Sequence, residues 1–334
     1  MNAAIETHEL FDLDGLGVHL RGTYHKPEET ISALLDPLKG RSRVGIVFLN
    51  SLSLPRAATG DSSVYWADSF AECGFPSFRL DLPGLGDSDG DLPLELLDFI
   101  NSGAFAPIAS AKIKELVERF NLGSVVLVGH CAGAVSAIYT AAACREWCKG
   151  LVLMDLYFHR PLAIRPKVRQ GLSDWALQSR IGGALSNVYD VLRRARLFLR
   201  RNALPKTANV ALLNCWKGLA STGMPILLLK APGRKAPGVK PRKGEFDYLK
   251  YVLERSGRGH QVQVEVIEGT DHSFANRLGR AGVRQLTERW LNARYPLQEF
   301  PVPVMKTSQP DPSNCSNDDQ SHTQYIEANT VLES

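Results

Sequence analysis

The sequence predicts an α/β protein with a mostly parallel sheet, helices on both sheet faces and a helical insertion. Three observations predict it. Short, β-branched apolar runs alternate with segments of helical apolar spacing. The run Val125-Val126-Leu127-Val128 passes straight into Gly129-His130-Cys131-Ala132-Gly133 and then into small residues, the pattern of a sharp strand-to-helix turn. The rhythm breaks between residues 156 and 221 and returns at Pro225.

In chain order, Thr7 to Leu13 and Gly17 to Tyr24 read as a hairpin around the turn residues Asp14-Gly15. Arg43 to Leu49 is a buried strand, followed by the loop Asn50-Ser51-Leu52-Ser53. Asp61 to Cys73 reads as a helix capped by Asp61 or Ser62. Pro76 to Leu82 is the next strand and ends in the turn Pro83-Gly84-Leu85-Gly86-Asp87. Pro107 to Phe120 has helical spacing, and Pro107 suits a first helical position because its missing N–H would have no partner there. The strand at Val125, the helix after Cys131 and a strand at Gly150 to Met154 complete the first half. Beyond the insertion come a strand at Pro225 to Lys230, a helix around Phe246 to Arg255, a strand at Gln261 to Ile267 and a helix from Gly282 to Ala293. The organisation expected is a core of residues 1–155 and 222–299, a basic helical cap at 156–221, and a disordered tail at 300–334. That tail is polar, with few large apolar residues to order it.

At 44% hydrophobic and 22% charged, the 334 residues suit one large α/β domain with an insertion. A net charge of +4 gives no argument for a nucleic-acid partner. No stretch is apolar for long enough to span a bilayer, and no secretory signal is legible, so a cytoplasmic protein without an integral membrane segment is expected. The six cysteines then imply no disulfide framework. Cys144 and Cys148, four apart on an expected helix, read as packed thiols and not as half of a metal site. Nothing in the sequence specifies an oligomeric state.

The turn at Cys131 presents a nucleophile, and a nucleophile of this kind needs a base and an orienting acid. In such a turn the chain order is nucleophile, acid, histidine. His272, in Gly269-Thr270-Asp271-His272-Ser273-Phe274, lies just past the last expected strand, at the carboxyl end where open α/β sheets place their sites. His130 is expected to face away from the pocket. The acid is sought after the strand ending at Lys230; Asp247 is the first choice, Glu245 the second, and Asp155, at the end of the preceding strand, the third. Oxyanion donors are expected from the N–H of Ala132 and from Ser51 or Leu52. The helix N-terminus beside Cys131 favours a negative charge, hence a thiolate.

Together Gly129-His130-Cys131-Ala132-Gly133, Arg79-Leu80-Asp81-Leu82-Pro83-Gly84-Leu85-Gly86-Asp87-Ser88 and the segment around His272 resemble the α/β-hydrolase superfamily, over roughly Gly17 to Tyr295. The turn after Asp81 resembles the serine aminopeptidase-like branch, in which it is structural. The resemblance implies an α/β-hydrolase fold with an eight-stranded sheet, a nucleophile–acid–histidine triad and no cofactor. Cys in place of the usual Ser is similar to dienelactone hydrolases and polyhydroxyalkanoate synthases.

The insertion sets twelve Lys and Arg residues, from Arg160 to Lys217, against only Asp174 and Asp190. Over a pocket mouth such a field attracts an anionic substrate or carrier, such as the phosphates of acyl-CoA, an acidic acyl carrier protein or a phospholipid surface. A solvated helical face explains the same charges. The cap aromatics, Tyr157 and Phe158 among them, read as packing. The leading expectation is an acyl hydrolase, an esterase or thioesterase acting on a small-molecule acyl ester or thioester through a Cys-His-Asp triad and a covalent acyl-enzyme. The alternatives are an acyltransferase using the same acyl-cysteine and a non-catalytic binding protein on the same fold.

Overall fold

Eight strands build one sheet: β1 (His8–Leu13), β2 (Leu20–His25), β3 (Val44–Leu49), β4 (Ser77–Leu80), β5 (Ser124–His130), β6 (Cys148–Met154), β7 (Ile226–Lys230) and β8 (Val262–Val266). Their spatial order is β1-β2-β4-β3-β5-β6-β7-β8. The β1–β2 and β2–β4 pairs are antiparallel and the remaining pairs parallel. This is a computed structural model, and it describes residues 7–14, 17–27, 43–160, 204–232, 246–257 and 261–296. The expected tail at 300–334, the basic residues 161–203 of the insertion and Glu245 lie outside the described residues.

The central strands are apolar along their whole length because both faces are covered. Alternate side chains feed two cores. Val47, Leu49, Val125, Leu127, Leu151, Leu153, Ile226 and Leu228 face one core. Ile46, Phe48, Val126, Val128, Val152, Met154, Leu227 and Leu229 face the other. On the second face lie helix α1 (Ser62–Glu72), through Trp66 and Phe70, and the last helix, through Trp290 and Leu291. On the first lie α2 (Leu96–Asn101), α3 (Ala106–Arg119) and α4 (Ala132–Ala143), together with α5 (Val210–Ser221) and α6 (Tyr248–Arg255). The last helix, α7, spans Arg277–Arg294. Helix α4 reads AGAVSAIYTAAA and is buried from Ala132 to Ala141. Small residues at those positions let the sheet and the flanking helices approach its backbone.

Three details differ from the sequence reading. Helix α5 falls inside the stretch expected to be a cap, yet it packs on α4 as a layer of the core. Its apolar face, Leu212, Leu213, Trp216 and Leu219, is buried there, and Trp216 Nε1 donates to Ser256 Oγ at 3.1 Å. Helix α7 starts before Gly282, because the Asn276 side chain accepts from the Gly279 N–H at 2.7 Å and caps the helix. Cys144 ends α4 and Cys148 opens β6; both are buried free thiols. Among the described residues no helix is long and apolar enough to cross a membrane.

If α5 belongs to the cooperative core, Trp216→Ala removes a side chain only 1% exposed and lowers unfolding stability by about 3–5 kcal/mol. Urea denaturation followed by circular dichroism measures it. A loss below about 1 kcal/mol would mean that α5 folds apart from the sheet.

Candidate active site

The turn at Cys131 is a backbone contact before it is a chemical site. Cys131 has φ 52° and ψ −113°, in neither helix nor strand, and its N–H donates to the Met154 carbonyl of β6 at 2.9 Å. A Cβ on Gly129 would lie 2.4 Å from the Gly133 carbonyl oxygen, and one on Gly133 would lie 2.5 Å from the Asn50 carbonyl oxygen. Only glycine fits either place. The strained tip residue is left projecting at the carboxyl end of the sheet, above the N-terminus of α4.

The same contact brings in the loop after β3, whose Leu49 and Asn50 carbonyls both press on Gly133. Ser51 is buried in that loop, and Leu52 is exposed with φ 52°. Ala132 is the first residue of α4, so its N–H has no acceptor within the helix. The loop is pinned by Asp81, whose side chain is 0% exposed. Asp81 accepts from Asn50 Nδ2 at 2.7 Å, from the Arg56 N–H at 2.7 Å, from Arg56 Nη1 at 2.5 Å and from the Asp87 N–H at 3.1 Å. Asn50 Oδ1 in turn accepts from the Leu82 N–H at 2.7 Å. Gly86 is glycine because a Cβ there would lie 2.2 Å from Asp81 Oδ2.

His272 sits on the loop between β8 and α7. Phe274 anchors this loop; its side chain is fully buried and its φ is 53°. Asp271 Oδ1 accepts from the Ser273 N–H at 2.9 Å and from its hydroxyl at 2.6 Å. Helix α7 packs close because Gly279 has no Cβ, which would lie 2.2 Å from Thr270 Oγ1. His130 does not simply turn away from the site. Its Nε2–H donates to the His272 carbonyl at 2.6 Å, and its ring meets Phe274 edge-on at 5.9 Å. Burial pushes the His130 pKa down to about 4, so the ring is neutral at ordinary pH.

The imidazole of His272 lies between two side chains. Nδ1–H donates to Asp155 Oδ2 at 2.8 Å, and the Cys131 thiol is near enough to help raise the ring's pKa. Asp155 follows β6 with φ 44°. Its N–H donates to Leu229 O at 2.8 Å, and its Oδ1 accepts from the Ala231 N–H at 3.0 Å. Register explains its position. His130 pairs with Met154 across β5 and β6, so the next residues, Cys131 and Asp155, emerge side by side. Asp247, the first choice for the acid, is corrected here: its Oδ1 accepts from the Lys250 N–H at 2.9 Å and caps α6. Thus Cys131, His272 and the third-choice acid Asp155 meet, with Ala132 and the Ser51–Leu52 loop beside them. The sequence signal for Asp155 was a carboxylate closing the strand next to the elbow strand; His130 carried none beyond adjacency to Cys131.

The family described as alpha/beta hydrolase fold matches residues 50–188. An esterase from Pyrococcus furiosus is similar in structure, with a TM-score of 0.52 at 13% identity, over 86% of this chain and 90% of its own. The chain has the α/β-hydrolase fold. A serine hydrolase from the polyaromatic-hydrocarbon-degrading bacterium Cycloclasticus zankles aligns with a TM-score of 0.50 at 14% identity, over 86% of this chain and 99% of its own. A search of curated proteins found no match. Within the α/β-hydrolase fold, the elbow strand is β5 and the late histidine follows β8, while the carboxylate bonded to it follows β6.

Two outcomes test this geometry. The Asp155 carboxylate first, then the Cys131 bond, raise the His272 pKa to about 10 against the opposing effect of burial. The stability from this raised value is fully present below the unfolded pKa of about 6.5 and is lost as pH rises through about 10. With the side chain 54% exposed, that contribution is small, so the titration itself is the better measurement. NMR of the His272 ring protons gives a midpoint near pH 10, moved down by Asp155→Asn; a wild-type midpoint near 6.5 would deny both contacts. Asp81→Ala leaves the Arg56 guanidinium without its buried partner and destabilises the fold by about 3 kcal/mol or more, read from urea midpoints. A variant as stable as wild type would mean that the turn does not hold the loop.

Proposed function

We propose that this chain is an acyl hydrolase acting on ester or thioester bonds, with Cys131 as nucleophile, His272 as acid–base and Asp155 as orienting carboxylate. The observation that carries the reading is the imidazole bonded to Asp155 through Nδ1, with the Cys131 thiol beside the same ring. Asp155 takes the Nδ1–H and leaves the opposite nitrogen for the sulfur. It also stabilises the imidazolium that forms when the thiol gives up its proton.

The Cys131 thiolate attacks the acyl carbon. The carbonyl electron pair moves to oxygen, where the N–H of Ala132 and an N–H from Ser51 or Leu52 receive it. Collapse breaks the bond to the leaving group, which takes the His272 proton, and the acyl group remains on Sγ as a thioester. Water then attacks the same carbon and passes a proton to His272. The second collapse releases the acid and the thiolate. His130 and Phe274 act through His272 by holding its loop, and Asp81 acts through the oxyanion loop.

Intact-mass trapping with a panel of acyl thioesters and esters tests the reading. The expected results are one acyl adduct on Cys131, none on Cys131→Ala, and loss of turnover in that variant. Asp155→Asn lowers kcat/KM by about 100-fold or more. Turnover that survives Cys131→Ala would overturn the assignment. Products formed with an added amine tell water from another acceptor: an amide in place of the free acid would make the chain a transferase.

A further inference from the structure

We infer that the open cavity beside Tyr157 receives the acyl part of the substrate and is built for an acyl group carrying an aromatic ring. The inference rests on the acyl-hydrolase reading above and adds to it a substrate class. The cavity has a volume of about 720 Å³ and lies between the carboxyl ends of β6 and β7 and the start of α6. That volume is in the range of small-molecule sites. Its wall begins with Leu156 and Tyr157, the two residues that follow Asp155 in the chain.

Tyr157 belongs to both places. Its hydroxyl is buried beside the Asn101 side chain and makes no hydrogen bond of good geometry. Burial first, and the negative charge of Cys131 second, push its pKa up to about 12, so it is a neutral donor facing the nucleophile's side. The hydroxyl keeps its proton, and a bound acyl oxygen within reach supplies a well-placed acceptor for it.

Leading away from Tyr157, the wall is a row of rings. Tyr157 and His159 lie 5.4 Å apart, His159 and Tyr248 6.2 Å, and Tyr248 and Phe246 4.8 Å between centroids. All four line the cavity, together with Leu228 and Leu229 of β7. These separations fall in the range of favourable ring–ring contact, and a flat ring entering the cavity extends the row. An alkyl chain fills the same space but gains only burial. Among the described residues that line the cavity, Lys230 and Asp247 carry one charge of each sign, which suits a neutral group.

The test compares N-acetylcysteamine thioesters of 3-phenylpropanoate and hexanoate, which share a leaving group without a ring. Wild type prefers the phenylpropanoyl substrate in kcat/KM by about tenfold, and Tyr248→Leu or Phe246→Leu reduces that ratio to about threefold or less. Equal turnover of both thioesters, or a ratio unmoved in both variants, overturns the aromatic assignment while leaving the hydrolase reading standing. Ligand-observed NMR of the full chain carrying Cys131→Ala, with 3-phenylpropanamide against hexanamide, reads the cavity without turnover. Weaker binding of the phenyl amide when Tyr248→Leu is added supports the assignment, and indifference to the ring overturns it. If neither thioester turns over, the hydrolase reading fails by itself, and the same binding contrast decides the cavity.

Discussion

The Gly133 carbonyl oxygen occupies the space that a side chain on Gly129 would need, and much of the site follows from that contact. It draws the end of β5 and the start of α4 into backbone contact and forces Cys131 into positive φ. Such strain, about 1–3 kcal/mol, persists only where the surroundings over-determine it. Here they do: β5 is buried up to Gly129, and α4 is buried on every side from Ala132 to Ala141. The same crowding puts the loop after β3 against Gly133, so the Cys131 thiol and the backbone N–H groups beside it are positioned by one packing event.

Around that contact the polar groups are held by partners they cannot leave cheaply. Burial alone would lower the Arg56 pKa, but its bonds to Asp81 and Asp87 outweigh burial and raise it. A carboxylate as deeply buried as Asp81 needs four donors, and those donors come from the two loops that must stay together. The His272 loop is fastened differently. Phe274 below and the neutral His130 at its backbone carbonyl hold the loop, and Asp155 orients the imidazole it carries.

Placing the carboxylate after β6 has a consequence one strand further along. Since Asp155 bonds His272, the end of β7 is left to line the cavity with Leu228, Leu229 and Lys230. The β7 end still contributes indirectly, because its Leu229 carbonyl and the Ala231 N–H hold Asp155 in place. The paired side chains and the cavity thus share the short segment from Asp155 to His159.

The sequence by itself determined the alternation of strands and helices, the turn at Cys131 and the loop bearing His272. Each is written in neighbouring residues: apolar runs, glycines spaced around one reactive side chain, a histidine just past a strand. The bond from Asp155 to His272, the grip of His130 on the histidine loop and the membership of Val210–Ser221 in the core were decided only by tertiary structure. Asp155 and Asp247 are both carboxylates near strand ends, and local pattern cannot rank them. What ranks them is that β6 lies beside β5, so that residues 131 and 155 come out of the sheet together, while the Asp247 carboxylate caps a helix. Strand adjacency joins residues far apart in the chain, and it exists only once the sheet has formed.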